Sequence, residues 1–189
     1  MLLAHRSTRV ATDGRDLSTV VRALLSLFGV FSLVLALAGC SVQLSPAFDQ
    51  ATYSDLAELN VKTETLFASL SRGSSRAEFA KYEETYDQLI GGFSAARMAT
   101  AARPVPDAPP ALLASGLKTV CGDDIADCSN PTPHHLDKVI VLLTAMRDAH
   151  QDDGLVGELV NGFNGRGGFK GQYEIDMNPV LIFEAALQR

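Results

Sequence analysis

Apolar residues recur at intervals of three and four along four stretches of the chain, which is the spacing of one face of an α-helix. The first stretch runs from about residue 52 to 70, and its stripe is Leu56, Leu59, Thr63, Leu66, Phe67 and Leu70. The second runs from about residue 76 to 102, and its stripe is Phe79, Tyr82, Tyr86, Leu89, Ile90, Phe93 and Ala96. Glu83, Glu84 and Asp87 fall on the opposite side, so we expect them to form a solvent-exposed helix face.

Two further stretches lie in the second half of the chain. Asn130-Pro131-Thr132-Pro133 is typical of a helix start. The stripe that follows it is Leu136, Val139, Ile140, Leu143 and Met146. The last stripe is Tyr173, Val180, Phe183 and Leu187. Pro179 interrupts this last pattern, which predicts a helix that starts at Asn178 or is kinked there.

These stripes predict an all-α fold, because the chain has almost no run of alternating β-branched residues. Four amphipathic helices that follow one another along the chain favour an up-and-down four-helix bundle. A shorter helix is expected near residues 111–119, after a proline-rich loop.

Another apolar stretch, residues 23–37, carries no charge and ends in Leu37-Ala38-Gly39-Cys40. It is shorter than the roughly 20 residues of a membrane-spanning helix and is typical of the core of a secretory signal peptide. The four final residues resemble the cleavage and lipidation box of bacterial lipoproteins. The resemblance implies cleavage between Gly39 and Cys40 and acylation of the Cys40 thiol. The alternative is an uncleaved N-terminal anchor helix.

The expected organisation is therefore a signal peptide at 1–39, a lipidated tether at 40–51 and a helical domain at 52–189. The segment before the apolar stretch is long and contains two aspartates, so we expect translation to start near Val20 or Val21. The resemblance implies a lipid-anchored protein that faces the periplasm. Ser41 stands where enteric lipoproteins retained at the inner membrane carry Asp, which favours the outer membrane.

The charge of the chain limits its partners. The full chain has 16 basic and 22 acidic residues, and the leader holds four Arg and two Asp, which leaves 12 basic and 20 acidic residues after cleavage. A net charge of −8 disfavours nucleic acid and anionic lipid headgroups. Attachment to the membrane is therefore expected through the acyl chains.

Once Cys40 is assigned to lipid, Cys121 and Cys128 remain as an even pair in an oxidising compartment. We expect a disulfide that closes a short polar loop and stabilises the fold by about 2 to 3 kcal/mol. A metal site is the alternative, although the spacing is too long for a zinc knuckle. The aspartates of this loop, Asp123, Asp124 and Asp127, are interpreted as solvated because an EF-hand pattern is missing.

The glycine-rich stretch 161–171 is the remaining candidate for a binding site. No strand pattern precedes it, and its glycines do not fit a phosphate-binding loop, so it is predicted to be a connector whose Arg166 and Lys170 contact a peptide or an anion. His134 and His135 point about 100° apart on a helix and are interpreted as surface residues rather than metal ligands. The sequence predicts no catalytic residue, no metal and no cofactor.

These observations favour a non-catalytic module that binds a protein or peptide in the periplasm. The order of elements resembles that of small periplasmic helical lipoproteins without an assigned activity. The alternative is a carrier or sensor that holds a small ligand or a metal in the core. A cavity lined by Tyr82, Tyr86, Phe93 and Phe183 would favour the carrier, and a densely packed core would favour the interaction module.

Overall fold

The computed structural model describes residues 45–106 and 128–188, which lie in one compact unit of the chain, Gln43–Arg189. Their α-helices are α1 Gln50–Leu70, α2 Glu83–Ala101, α3 Thr132–Asp152, α4 Gly157–Asn161 and α5 Gly168–Ala186. A 3-10 helix, Arg76–Lys81, precedes α2, and the strands β1 Gly73–Ser74 and β2 Leu155–Val156 pair antiparallel. The predicted all-α class is confirmed for this part. The predicted leader, Cys40, Cys121, the acidic cysteine loop and the helix near 111–119 lie outside the described residues.

Helix α1 begins where the sequence supplies an N-cap. Asp49 accepts hydrogen bonds from the backbone N–H of Ala51 at 3.1 Å and from the hydroxyl of Thr52 at 2.7 Å. These bonds satisfy groups that a helix start leaves unpaired. They also hold the pKa of the Asp49 carboxyl below its usual value, with the Thr52 bond as the largest cause.

The four long helices share one hydrophobic core. Helix α1 packs against α2 and α5, and α3 packs against the same two helices. The core side chains of the first three stripes are Leu56, Leu66, Phe67, Leu70, Phe79, Tyr86, Leu89, Phe93, Ala96, Leu136, Val139, Leu143 and Met146. Burying one large apolar side chain contributes roughly 1.5 to 3 kcal/mol, so this core is the main source of stability. The first three predicted stripes are confirmed.

The second predicted helix is interrupted near its start. Residues 76–81 form a 3-10 helix, and α2 begins only at Glu83. The carboxylate of Glu78 accepts a bond from the backbone N–H of Ser75 at 3.2 Å and pairs with Lys81 at 2.9 Å. These contacts, the Lys81 bond first among them, lower the pKa of Glu78 to about 2. Such local bonds favour a tight first turn, which apolar spacing alone does not reveal.

Of the two predicted alternatives for the last helix, a start at Asn178 is wrong. The helix begins at Gly168 and continues through Pro179, as the alternative of a helix that includes this proline requires. A proline removes one helical hydrogen bond, and the packing of α5 against α1 and α3 outweighs that loss. The buried positions of α5 are Tyr173, Asp176, Met177, Val180 and Glu184. Phe183 and Leu187, which the pattern placed on the inner face, are only partly buried.

Candidate functional site

Residues 155–168, here called the glycine segment, connect α3 to α5. Leu155 and Val160 are buried in the core, and β2 pairs with residues 73–74. The side-chain amide of Asn161 donates to the backbone carbonyl of Ser71 at 2.7 Å. The segment is therefore fixed against the end of α1 at several points along its length, which differs from the flexible connector that its composition suggested.

Three apolar side chains of the glycine segment are exposed, beside the exposed polar side chains of Glu158, Asn164 and Arg166. Val156 is 62 % exposed, Leu159 42 % and Phe163 80 %. Phe163 and Arg166 form an isolated antiparallel bridge around Asn164 and Gly165, which both have positive φ angles, 54° and 73°. Two central residues with positive φ are the pattern of a tight hairpin turn. The turn therefore holds the most exposed aromatic ring of the described residues at the surface.

A surface cleft of about 660 Å³ lies beside this turn. It is lined by Ser71, Arg72, Gly157, Glu158, Asn161, Gly162, Asn164, Gly165, Lys170, Gly171 and Glu174. Charged and amide side chains on its rim can hydrogen-bond to a ligand backbone. The cleft and the exposed apolar side chains belong to the same stretch of chain, so one ligand can contact both.

Lys170 and Arg166, the two predicted contact residues, have different surroundings. Lys170 lies in the first turn of α5 and donates to Glu174 at 2.8 Å and to Glu64 at 2.7 Å. The bonds to Glu174 and Glu64 raise the pKa of Lys170. Because two carboxylates balance its single charge, Lys170 is poorly placed to attract an anion. Arg166 is exposed in the turn, so only one of the two predicted cations faces solvent freely.

His150 occupies a buried aromatic cluster at the end of α3. Its Nδ1 shares a hydrogen bond of 3.2 Å with the hydroxyl of Tyr86. The rings of Phe79, Tyr82 and Tyr86 lie 5.5, 5.5 and 5.9 Å from the imidazole, measured between centroids. No group among the described residues makes a hydrogen bond to Nε2 with good geometry. Burial lowers the pKa of His150, against a smaller opposite effect of the Ser75 backbone.

A second buried group, here called the polar end cluster, joins the end of α2, the start of α3 and the end of α5. Its members are Thr100, Arg103, Asn130, Thr132 and Glu184. Arg103 donates two bonds to the fully buried Glu184 carboxylate, at 2.8 and 2.6 Å. Asn130 donates to the carbonyl of Thr100 at 2.9 Å. The cluster links three helix ends through charged and polar bonds.

Histidine and carboxylate side chains also meet between α3 and α5. His135 Nδ1 lies 3.1 Å from the buried Asp176, to which Gln172 also donates at 3.2 Å. His134 is exposed as predicted, whereas His135 is partly buried by this contact. Among residues 45–106 and 128–188, no three His, Cys, Asp or Glu side chains are grouped so that they could hold a metal ion.

The aromatic residues considered for a ligand cavity are mainly core residues. Tyr86 and Phe93 are fully buried, and Phe93 lies 6.3 Å from the ring of Tyr173. Tyr82 lines a surface cleft between α1 and α2. The exposed acidic face of α2 is where the sequence predicted it.

Sequence reasoning missed three buried polar residues. Asp176 and Glu184 lie three and eleven residues after Tyr173, and His150 lies four residues after Met146, so all three continue a buried helical stripe. A search for polar residues at these intervals would have found them. The sequence analysis followed apolar residues only, and ionisable side chains are rarely buried, so these positions were not considered.

In the part of the chain that the structure describes, no helix has the length and apolar character needed to cross a bilayer. Comparison with protein-family models, curated protein sequences and solved structures found no match to this chain.

Proposed function

We propose that this protein is a lipid-anchored, non-catalytic interaction module that presents the glycine segment to a protein or peptide partner in the periplasm. The observation that carries the proposal is the exposure of Val156, Leu159 and Phe163 on a backbone that the core holds in place. Three exposed apolar side chains in one short, fixed segment offer apolar contacts to a partner, and little entropy is lost when a partner covers them.

The size of this apolar surface limits how strongly it alone could bind a partner. Complete burial of three large apolar side chains contributes about 1.5 to 3 kcal/mol each. Association costs an estimated 4 to 15 kcal/mol, so the apolar contacts alone would give weak binding. Arg72, Glu158 and Asn161 in the adjacent cleft would add polar contacts to the partner and so strengthen the binding. An extended peptide or a partner loop offers both the apolar side chains and the backbone groups that such a surface needs.

The proposed architecture is an up-and-down four-helix bundle. Its support comes from pairs of contacts that are typical of antiparallel neighbours. In each pair, the residue numbers rise along one helix while those of the contacted residues fall along the other. Between α2 and α3 these contacts are Arg97–Asp137 and Arg147–Asp87. Between α1 and α5 they are Lys170–Glu64 and Tyr173–Asn60. Between α3 and α5 they are His135–Asp176 and Thr132–Glu184.

The proposed anchor lies upstream of α1. Acylation of Cys40 would attach the tether, residues 40–51, to the outer membrane, and the described chain enters α1 at Gln50. The glycine segment contacts residues 71–73 at the opposite end of α1, about 30 Å away for 21 residues. A disulfide between Cys121 and Cys128 remains part of the proposal, and the buried aromatic side chains give the alternative of a core carrier less support.

Site-specific crosslinking tests the recognition surface. We expect a photo-crosslinking amino acid in place of Phe163 to join the protein to one defined partner in the bacterium that makes it. The matched control replaces Ile182, which is 70 % exposed on α5 and lies outside the glycine segment. Adduct formation at position 163 and its absence at position 182 are the expected results. Equal adduct patterns at both positions, or none at position 163, would contradict the proposal.

The intact mass of the protein purified from membranes tests the anchor and the disulfide. We expect an acylated chain that begins at Cys40 and gains the mass of two hydrogen atoms when Cys121 and Cys128 are reduced. The Cys40→Ser variant should lose the acyl mass and leave the membrane fraction. An unprocessed wild-type chain would contradict lipid anchoring, and a mass unchanged by reduction would contradict the disulfide.

A further inference from the structure

The buried imidazole of His150 is connected to the glycine segment through its own backbone. The carbonyl of His150 accepts a hydrogen bond from the N–H of Gly154 at 3.1 Å. Gly154 in turn lies close to the backbone of residues 74–76, where an added Cβ would come within 2.9 Å of the Ser74 carbonyl oxygen. Leu155 follows directly and pairs with Ser74 in the β1–β2 sheet. A movement of the last turn of α3 would therefore also displace β2 and the rest of the glycine segment.

The side chain of His150 packs on the other face of the same junction. Its ring contacts Phe79 of the 3-10 helix, edge to face at 5.5 Å, and bonds to Tyr86 of α2. Residues 76–81 are continuous with β1 through Ser75. The imidazole thus lies between the 3-10 helix, which follows β1, and the end of α3, which precedes β2. Its packing holds these two elements together.

Protonation of His150 would weaken this packing, because the surroundings of the imidazole favour its neutral form. The Nε2 atom has no partner that meets hydrogen-bond geometry among the described residues, so the nearby Ser75 backbone only partly offsets the cost of burying an N–H⁺. The groups that act on the imidazole are Tyr82 and Tyr86 from α2, Glu78 from the 3-10 helix and the Ser75 backbone. Glu78 and the aromatic rings attract a cation, but Glu78 is already paired with Lys81, and desolvation is the largest of these effects.

We propose that His150 is a pH-sensitive latch that holds the glycine segment closed while neutral and loosens it when protonated. The latch itself depends only on the geometry of the junction, while its role in partner recognition rests on the function proposed above. The direction of the pH effect follows from the linkage between proton binding and the stability of the closed state. A depressed pKa in the closed state means that the open state binds more protons, so the stability of the closed state is lost as the pH falls through about 6.5.

Hydrogen exchange of the full-length protein, followed by mass spectrometry, tests the latch. Intrinsic exchange rates divided by the observed rates at the same pH give the protection of each segment, which is compared between about pH 7.5 and about pH 5.5. We expect protection in residues 150–168 to fall by up to about tenfold at the lower pH, which is the limit that one proton sets one unit below its ordinary pKa. Protection in the middle of α1 and α2 should stay the same.

Two sets of variants complete the test. His150→Phe keeps an aromatic ring that cannot titrate, and it should remove the pH dependence. His134→Gln with His135→Gln leaves the latch in place, and it should keep that dependence. Persistence of the effect in His150→Phe would overturn the proposal. If His150→Phe does not fold, the wild-type chain decides, because a loss of protection that is absent or spread evenly over all long helices would also overturn it. The measurement needs no partner, so it stands apart from the crosslinking result.

Discussion

Replacement of Glu184 by alanine is expected to lower the free energy of unfolding by about 3 to 5 kcal/mol. The Glu184 carboxylate is fully buried and accepts two bonds from Arg103 and one from the hydroxyl of Thr132. Its removal leaves the Arg103 guanidinium, whose side chain is only 10 % exposed, without a charge partner. Urea unfolding followed by circular dichroism measures the change.

Two controls separate the buried charge from a general effect of mutation. Glu58→Ala removes an exposed carboxylate that pairs with Lys62 one turn away, and we expect an unfolding curve close to that of the wild type. The double variant Arg103→Met and Glu184→Leu removes both charges and should recover most of the lost stability. Glu184→Ala would contradict the expectation if it unfolded at the same urea concentration as Glu58→Ala.

Replacement of Gly162 by alanine is expected to have the second largest effect. Gly162 has φ of 74° and ψ of −179°, a conformation that residues with a Cβ rarely adopt. A Cβ there would overlap the backbone carbonyl of Arg166. Backbone strain of this kind costs about 1 to 3 kcal/mol, and displacement of the turn relieves it. We therefore expect lower stability in urea, faster hydrogen exchange in residues 155–168 and no crosslink from position 163.

Gly165→Ala is the matched control for this variant. Gly165 also has a positive φ, 73°, but a Cβ at that position meets open space. It should cost less stability than Gly162→Ala and leave the crosslink from position 163 in place. If both variants behave alike, the close approach of Gly162 to Arg166 has no influence on the turn.

The sequence predicted the parts of the fold that depend on long apolar stripes. In α1 and α3, Leu56, Leu66, Leu136 and Leu143 recur over several turns, so that single exceptions do not hide the period. The exposed acidic face of α2 was predicted for the same reason. A periodic pattern of this length stays recognisable even where one position departs from it. The start of α3 was predicted from the short motif at residues 130–133, although its N-cap residue is Pro131 and no side chain caps it.

The parts that were not predicted depend on short segments or on pairs distant in the chain. Strand β2 and helix α4 have two and five residues, which is too short for a period to appear. Glu184 is inward-facing because Arg103 and Thr132, 81 and 52 residues away, meet it there. A single sequence does not show such pairings, so the apolar pattern gave no prediction for this carboxylate. The proposed recognition surface was predicted only as a glycine-rich contact loop, without its apolar side chains.

The polar end cluster has a practical consequence for experiments on immobilised protein. It holds the last turn of α5 beside Arg103, and the charge of Arg103 also lowers the pKa of Asp49, which caps the start of α1. The described chain therefore begins and ends close together, at the end of α1 that lies opposite the glycine segment. A capture tag placed after α5 would attach the protein to a sensor chip by the end opposite the glycine segment, which would leave the proposed recognition surface accessible to the flowing solution.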